Sequence, residues 1–180
     1  MNLFGTDGSW TLFLDRDGVI NVRKMGGYIL NPSEFLFLPN VPEAIAHFSK
    51  IFKYVFVVTN QQGIGKKLMS ESNLLEIHAY MGEAVEKAGG KITASYYAPE
   101  LKQDESPLRK PGPGMALQAK ADYPDVDFSR AVMVGDTDSD ILFGKNLGMK
   151  TVRIRTEEPI GIEADYTVSN LYELIELWKK

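Results

Sequence analysis

The chain has 180 residues, of which 44% are hydrophobic and 24% are charged, and its formal net charge is -4. This length and composition predict one ordinary domain with a sizeable core and exclude a disordered chain. This negative net charge does not provide the excess of positive charge that is typical of nucleic-acid-binding proteins. Because the chain has no cysteine, disulfides, thiolate zinc sites and cysteine nucleophiles are excluded.

The sequence predicts neither a targeting segment nor a membrane span. Residues 1–10 contain no basic region followed by an apolar core, so no signal peptide is expected. The dense apolar runs, such as Tyr54–Val58, are far shorter than the roughly 20 residues of a membrane-spanning helix. We therefore expect a cytoplasmic protein without a membrane or nucleic-acid partner.

Short apolar segments alternate with longer helical patterns along the chain. In chain order the predicted elements are strand Thr11–Leu14, helix Val41–Lys50, strand Tyr54–Thr59, a helix from the N-cap Ser70 to Gly89-Gly90, strand Ala94–Ala98, helix Gly114–Tyr123, strand Ala131–Val134, helix Asp138–Leu147, strand Thr151–Ile154, strand Tyr166–Val168 and helix Leu171–Lys179. This alternation predicts a single three-layer, Rossmann-like α/β domain over residues 1–180, with a parallel sheet. The long loops 21–39 and 99–113 are predicted to form a minimal cap.

Two aspartates directly follow the first predicted strand. In such folds ligands bind beyond the carboxyl ends of the strands. Asp15 and Asp17 are two residues apart in an extended segment, so they are expected to point to the same side. A magnesium ion would relieve their repulsion and attract phosphate oxygens, and one aspartate would then attack phosphorus while the other handles protons. Taken alone, the Asp-x-Asp-Gly pattern is also typical of a turn.

Two further segments indicate groups that bind anions. Thr59 and the amides of Asn60, Gln61 and Gln62 follow the second strand, where they are positioned to donate hydrogen bonds to an anion or to form a polar turn. Lys110 lies in a proline-rich segment before a helix whose N-terminal dipole favours anions. A lysine fixed there would stabilise a transferring phosphoryl group, although a basic surface loop has the same pattern.

The last motif is acidic and follows the strand Ala131–Val134. After Gly135, Asp136 is a candidate metal ligand. Asp138 and Asp140 open the next helix, where acidic residues are also favoured as caps. Asp140 is alternatively placed to orient Lys110. The ordered set of carboxylate pair, hydroxyl, lysine and acidic cluster predicts phosphoryl transfer.

The motifs resemble those of the haloacid dehalogenase superfamily of phosphatases over nearly the whole chain. Within it the chain resembles the D-glycero-D-manno-heptose 1,7-bisphosphate phosphatases, with the histidinol-phosphate phosphatases as near relatives. The segments that carry the resemblance are Phe13–Asn21, Gly27-Tyr28, Val58–Ile64, Tyr96–Pro99 and Arg109–Met115.

The resemblance implies a role for each motif residue. Asp15 is the nucleophile, and Asp17 protonates the leaving group and later activates water. Thr59 and Lys110 hold the phosphoryl oxygens. Magnesium is bound by Asp15, the backbone carbonyl of Asp17 and Asp136. The residues expected to bind substrate are Asn21, Gly27, Tyr28, Asn60, Gln61, Gln62 and Arg109, and those expected to support the metal site are Thr137 and Asp140.

One departure concerns the zinc loop of these relatives, which carries three cysteines and a histidine. The corresponding positions here are Ala98, Glu100, Ser106 and Leu108, so no structural zinc is expected. The leading hypothesis is a monomeric, magnesium-dependent heptose 1,7-bisphosphate 7-phosphatase acting on a small phosphorylated metabolite. The alternatives are a histidinol-phosphate phosphatase, with Glu100, Asp104 or Glu105 binding the substrate amine, another small-metabolite phosphatase, and a non-catalytic scaffold.

Overall fold

The structure, a computed structural model, describes residues 3–178 and is built on one six-stranded sheet. The strands are β1 (Thr11–Leu14), β2 (Tyr54–Asn60), β3 (Ala94–Ala98), β4 (Ala131–Gly135), β5 (Lys150–Ile154) and β6 (Tyr166–Val168). The α-helices are α1 (Val41–Ile51), α2 (Gln62–Gly65), α3 (Glu71–Lys87), α4 (Gly114–Asp122), α5 (Asp138–Asn146) and α6 (Leu171–Trp178). Short 3-10 turns occupy Leu3–Gly5, Pro32–Glu34, Lys102–Asp104 and Phe128–Arg130.

Every pairing in the sheet is parallel, and both faces of the sheet are buried. Along β1, Leu12 and Leu14 belong to one apolar cluster while Phe13 belongs to the other, because successive side chains of a strand point to opposite faces. Helices α1, α3 and α6 cover the first face, and α4 and α5 cover the second. The predicted three-layer α/β fold with a parallel sheet is therefore confirmed.

The caps of α3 follow the sequence prediction. The Ser70 hydroxyl accepts a hydrogen bond from the Asn73 amide at 3.1 Å, and the Asn73 side chain accepts one from the Ser70 amide at 2.9 Å. Gly89 follows the helix with φ of +84°, a conformation that side chains other than glycine's rarely adopt.

Most element boundaries agree with prediction, and the others differ by one or two residues. Strand β2 extends to Asn60 because that residue still pairs with Ala98 of β3. The sequence predicts no helix at Gln62–Gly65, where the short helix α2 forms, and its two glycines give the segment a poor helix propensity. Helix α6 is described as far as Trp178, and Lys179, where the prediction ended it, lies outside the described residues.

The strand order β3-β2-β1-β4-β5-β6 brings the motif segments together. The chain moves outward from β1 to β2 and β3, then returns to place β4 on the other side of β1. Leu14 pairs with both Val57 and Val134, so the residues after these strands meet at one edge of the sheet. This switch in direction is where open parallel sheets bind ligands. Within residues 3–178, no helix combines the length and apolar character needed to cross a membrane.

Candidate active site

A cavity of about 470 Å³ lies at this edge of the sheet. The predicted site residues in its wall are Asp15, Asp17, Gly27, Tyr28, Thr59, Asn60, Gln61, Gln62, Arg109, Lys110, Thr137 and Asp140. Two other predicted site residues, Asn21 and Asp136, are not part of the wall. Both contact residues that line it, Asn21 through Asp17 and Asp136 through Arg23.

Lys110 forms a buried ionic cluster with two of the predicted carboxylates. Its Nζ atom is 2.7 Å from Oδ1 of Asp15 and 2.7 Å from Oδ1 of Asp140, and it also donates to the backbone oxygen of Val58 at 2.7 Å. The exposed fractions of the Lys110, Asp15 and Asp140 side chains are 2%, 9% and 1%. Burial alone lowers the pKa of Lys110, but the Asp140 and Asp15 carboxylates outweigh it and raise that pKa. The lysine therefore stays protonated.

Asn60 fixes the backbone of Lys110. Its Oδ1 atom accepts a hydrogen bond from the Lys110 amide at 2.9 Å, and its Nδ2 group donates to the Lys110 carbonyl oxygen at 3.2 Å. Asn60 is the last residue of β2, so this reciprocal pair ties the lysine segment to the sheet edge. Asn60, which is predicted to bind substrate, thus holds Lys110 in place beside Asp15, the predicted nucleophile.

Asp140 has both roles that the sequence left open. Its Oδ2 atom accepts hydrogen bonds from the Thr137 amide at 3.0 Å and the Thr137 hydroxyl at 2.7 Å, which caps α5. Its Oδ1 atom pairs with Lys110. Burial raises the pKa of Asp140, but the charge of Lys110 and the hydrogen bonds from Lys110 and Thr137 outweigh it and lower that pKa.

The carboxylate of Asp17 is held by three donors. Arg16 Nη2 lies 3.1 Å from both oxygens, while the side-chain amides of Asn21 and Gln61 each donate at 3.0 Å. Gln61 also donates to the Thr59 hydroxyl at 2.8 Å. Burial raises the pKa of Asp17, but the Arg16 charge and these hydrogen bonds outweigh it and lower that pKa. The sequence reasoning missed Arg16, which is 1% exposed despite its charge.

The donor set fits a divalent cation. Carboxylate oxygens of Asp15, Asp136 and Asp140 lie within 4.8 Å of one another, and all three residues are buried. Burial, together with the Asp140 charge, raises the pKa of Asp15 to about 7. Burial also raises the pKa of Asp136 to about 6, against the opposing charge of Arg23. Crowded carboxylates with raised pKa values are the arrangement that a bound Mg²⁺ stabilises, and oxygen is its preferred ligand.

Arg23 and Glu158 are site residues that the sequence did not single out. Arg23 Nη2 lies 2.9 Å from both carboxylate oxygens of Asp136, and its Nη1 lies 3.0 Å from Glu158 Oε1. Arg23 is 113 residues from Asp136 along the chain, so no local sequence pattern indicates the contact. The one available signal was the length of the loop 21–39, since long loops often line sites.

The segment 98–108, which corresponds to the zinc loop expected in the relatives, is held by hydrogen bonds and apolar packing. The Pro99 carbonyl accepts from the Gly65 amide at 3.0 Å, and the Pro107 carbonyl accepts from the Gly114 amide at 2.8 Å. Leu108 packs against the apolar cluster under the second sheet face. These contacts join the loop to α2 and α4.

At Gly18 the backbone lies close to the Asp136 carboxylate, so adding a side chain there is expected to lower the stability of the fold. A Cβ atom at Gly18 would lie 2.3 Å from Asp136 Oδ2, and its φ is +90°. Gly89 has a similar φ of +84° with nothing within 4 Å, so it is a matched control. We expect Gly18→Ala to lower the free energy of unfolding by at least about 1 kcal/mol more than Gly89→Ala, because both add backbone strain but only the first displaces a buried carboxylate. Urea unfolding measures both, and equal losses would contradict the close approach.

The fold is that of the haloacid dehalogenase-like hydrolases. A family model described as HAD-hydrolase-like matches residues 107–174. The D-glycero-alpha-D-manno-heptose-1,7-bisphosphate 7-phosphatase of Mycobacterium tuberculosis (strain ATCC 25618 / H37Rv) is 36% identical over 77% of this chain and 73% of its own. The corresponding beta-anomer phosphatase of Vibrio cholerae is 34% identical over 83% of each chain.

A solved structure extends the comparison to three dimensions. The D,D-heptose 1,7-bisphosphate phosphatase from B. bronchiseptica, complexed with magnesium and phosphate, superposes with a TM-score of 0.83 at 27% identity. The match covers 94% of this chain and 98% of that one. The chain therefore belongs to the heptose 1,7-bisphosphate phosphatase family, and it is a phosphatase.

Proposed function

We propose that this phosphatase is a Mg²⁺-dependent 7-phosphatase of D-glycero-D-manno-heptose 1,7-bisphosphate that acts through an aspartyl-phosphate on Asp15. The observation that carries the proposal is the buried contact between Lys110 and Asp15 at the carboxyl end of β1. It gives the nucleophile a fixed orientation and puts a permanent positive charge beside it. The names of the relatives support the substrate.

The residues proposed to hold the ion are Asp15, Asp136 and the backbone carbonyl of Asp17. All three come from the edge of the sheet where β1 and β4 lie side by side. When bound, Mg²⁺ would offset negative charge on the phosphoryl oxygens and bring them close to the carboxylates. Asp140 and Thr137 support the site through Lys110 and the start of α5.

In the first half of the reaction, a carboxylate oxygen of Asp15 attacks phosphorus and the phosphorus–oxygen bond to the sugar breaks. The pKa of Asp17 is lowered in the site without substrate, so the carboxylate takes up a proton when the negatively charged phosphate binds beside it. Asp17 then gives this proton to the leaving sugar oxygen, which departs as an alcohol. The Lys110 ammonium and the Thr59 hydroxyl hold the phosphoryl oxygens while their charge redistributes. The products of this half are the free sugar phosphate and phosphorylated Asp15.

In the second half, Asp17 takes a proton from a water molecule as that water attacks the phosphorus atom. The bond between phosphorus and the Asp15 oxygen breaks, which releases inorganic phosphate and restores the carboxylate. Asp17 regains the proton that it gave away, so the cycle balances. The hydrogen bonds from Arg16, Asn21 and Gln61 orient Asp17 for both transfers.

The cationic wall of the cavity supports a substrate with a second phosphate. Arg109, Lys24 and Lys66 line the cavity, and the Lys66 ammonium lies 5.3 Å from the centre of the Tyr28 ring. A volume of about 470 Å³ lies within the range of pockets that enclose small metabolites. A sugar bisphosphate uses both the reacting position and these outer cations.

We further propose that the enzyme works in the cytoplasm as a monomer and acts on a small metabolite alone. The net charge of -4 is unfavourable for nucleic acid, and the absence of cysteine fits a reducing compartment.

Phosphate release from a panel of substrates tests the proposal. The panel contains both anomers of heptose 1,7-bisphosphate, histidinol phosphate, fructose 1,6-bisphosphate and a 3′-phosphorylated oligonucleotide, each with Mg²⁺ and with EDTA. We expect Mg²⁺-dependent release that is at least about tenfold faster, by kcat/KM, from one heptose anomer than from any other compound.

The other outcomes separate the alternatives. Faster release from histidinol phosphate would retain the mechanism and replace the substrate. That substrate needs an acid near its amine, and within the described chain Glu100, Asp104 and Glu105 do not line the cavity. Release from no member of the panel would overturn the proposed substrate, and the phosphatase would then act on a compound of another class.

A further inference from the structure

Arg23 lies where the proposed metal site needs a cation. Its Nη2 atom is 2.9 Å from both carboxylate oxygens of Asp136 and 3.2 Å from the backbone oxygen of Asp17. Its Nη1 atom is 3.0 Å from Glu158 Oε1. The Asp136 carboxylate and the Asp17 carbonyl are also two of the three groups proposed as Mg²⁺ ligands, so the guanidinium and the ion need the same oxygens.

When no divalent cation is bound, the Asp136 carboxylate depends on the Arg23 guanidinium for its counter-charge. The Asp136 side chain is 0% exposed, whereas that of Arg23 is 30% exposed. Lys110 pairs with Asp15 and Asp140, and within residues 3–178 the salt bridge to Asp136 comes from Arg23. A buried carboxylate that loses its partner strongly destabilises the folded state.

The two cations compete for the same oxygens. Mg²⁺ sits about 2.0–2.1 Å from its oxygen ligands, so an ion bound to the oxygens that Arg23 contacts would stand beside the guanidinium, whose like charge repels it. We therefore infer that Arg23 is an internal competitor of Mg²⁺, which neutralises Asp136 in the metal-free enzyme and leaves it when the ion binds. Glu158 retains the released guanidinium at the wall of the cavity. The inference rests on the proposed function only for the identity of the ion.

Direct binding of Mg²⁺ to metal-free protein, measured by isothermal titration calorimetry without substrate, tests the competition. The apparent affinity of the wild type is lowered by the fraction of molecules in which Arg23 holds Asp136. We expect Arg23→Gln to lower the dissociation constant for Mg²⁺ about tenfold or more, because the competitor is gone. Arg23→Lys retains a cation but loses the guanidinium fork, so its dissociation constant is expected to lie between those of the wild type and Arg23→Gln.

Thermal unfolding gives a second measurement, in which Arg23→Gln is expected to lose stability although it gains affinity for Mg²⁺. In EDTA, Arg23→Gln is expected to unfold at a lower temperature than the wild type, because Asp136 keeps the hydrogen bond from the Thr156 hydroxyl but is left buried without a counter-charge. In saturating Mg²⁺ the difference is expected to shrink, since the ion takes over that role and tighter binding stabilises the folded state more. The rise in Tm caused by Mg²⁺ is therefore larger in the variant.

Lys24→Gln is the matched control. Lys24 is the next residue, lines the same cavity and carries the same charge, but it pairs with Glu34 at 3.0 Å rather than with the acidic cluster. If Lys24→Gln tightens Mg²⁺ binding as much as Arg23→Gln does, general charge explains the effect and the inference falls. It also falls if Arg23→Gln leaves the dissociation constant unchanged or raises it.

These results do not depend on turnover. Tighter Mg²⁺ binding by Arg23→Gln, combined with no phosphate release from the substrate panel, would retain the inference and overturn the proposed function. An active enzyme whose Mg²⁺ affinity is insensitive to Arg23 would do the reverse.

Discussion

Replacement of Asp15 by asparagine is expected to lower kcat by on the order of 10⁴-fold or more. An amide is a far weaker nucleophile than a carboxylate, and it cannot form the phosphorylated intermediate that the proposed mechanism requires. The site offers no substitute in the same position, because the carboxylate of Asp140 is occupied by Lys110 and Thr137. Initial rates with the preferred substrate of the panel, at saturating Mg²⁺, measure the loss.

The matched control is Asp125→Asn. Asp125 also pairs with a lysine, Lys53, and accepts a hydrogen bond from Tyr54 at the amino end of β2, away from the cavity. We expect this variant to keep a kcat close to that of the wild type. Retention of more than about a tenth of wild-type turnover by Asp15→Asn would overturn the assignment of the nucleophile.

The stability of Asp15→Asn separates loss of chemistry from loss of fold. Burial, with the Asp140 charge, raises the pKa of Asp15 from 3.8 to about 7. The folded metal-free protein thus binds this proton more tightly than the unfolded chain, so the carboxyl lowers the free energy of unfolding as pH rises from about 4 to about 7. Asparagine does not titrate. In EDTA, the variant is therefore expected to gain stability relative to the wild type across that window.

The sheet and the motif positions were predictable because their signals are local. A continuous run of β-forming residues such as Tyr54–Thr59 suits a strand that is buried on both sides, and the polar motif residues interrupt the apolar pattern at the strand ends. Parallel strands then carry those residues to one edge without any further information. This is why Asp15 and Thr59 line one cavity although they are far apart in the chain, whereas Lys110 enters it from the segment before α4.

The contacts that orient those residues were not predictable in the same way. Arg16 stands between the two motif aspartates, and nothing in its spacing indicates that its side chain turns inward to Asp17. The reciprocal hydrogen bonds of Asn60 with Lys110 and the contact of Arg23 with Asp136 join segments 50 and 113 residues apart. Such pairs depend on loop conformations that tertiary packing selects, rather than on local propensity.

Replacement of Lys110 by methionine is expected to damage both catalysis and stability. Methionine retains an unbranched side chain but leaves Asp15 and Asp140 buried beside each other without a counter-charge. Loss of one partner from a buried ion pair costs about 3–5 kcal/mol, and loss of a group that stabilises the transferring phosphoryl lowers kcat by about 10²–10³-fold. Urea unfolding in EDTA at pH 8 and initial rates with Mg²⁺ measure the two effects.

The pH dependence of the stability loss tests its electrostatic origin. In the wild type, Lys110 lowers the pKa of Asp140 and offsets part of the rise at Asp15, so its removal raises the pKa values of both carboxyls. The folded variant then takes up protons that the unfolded chain does not hold above pH about 4, and its stability recovers as pH falls toward that value. Lys120→Met is the control, because Lys120 donates to the Val126 carbonyl at 2.8 Å, lies 5.4 Å from the centre of the Phe128 ring and forms no salt bridge within residues 3–178. A loss for Lys110→Met that stays constant from pH 8 to pH 5 would show that packing, rather than the buried charge, holds this lysine in place.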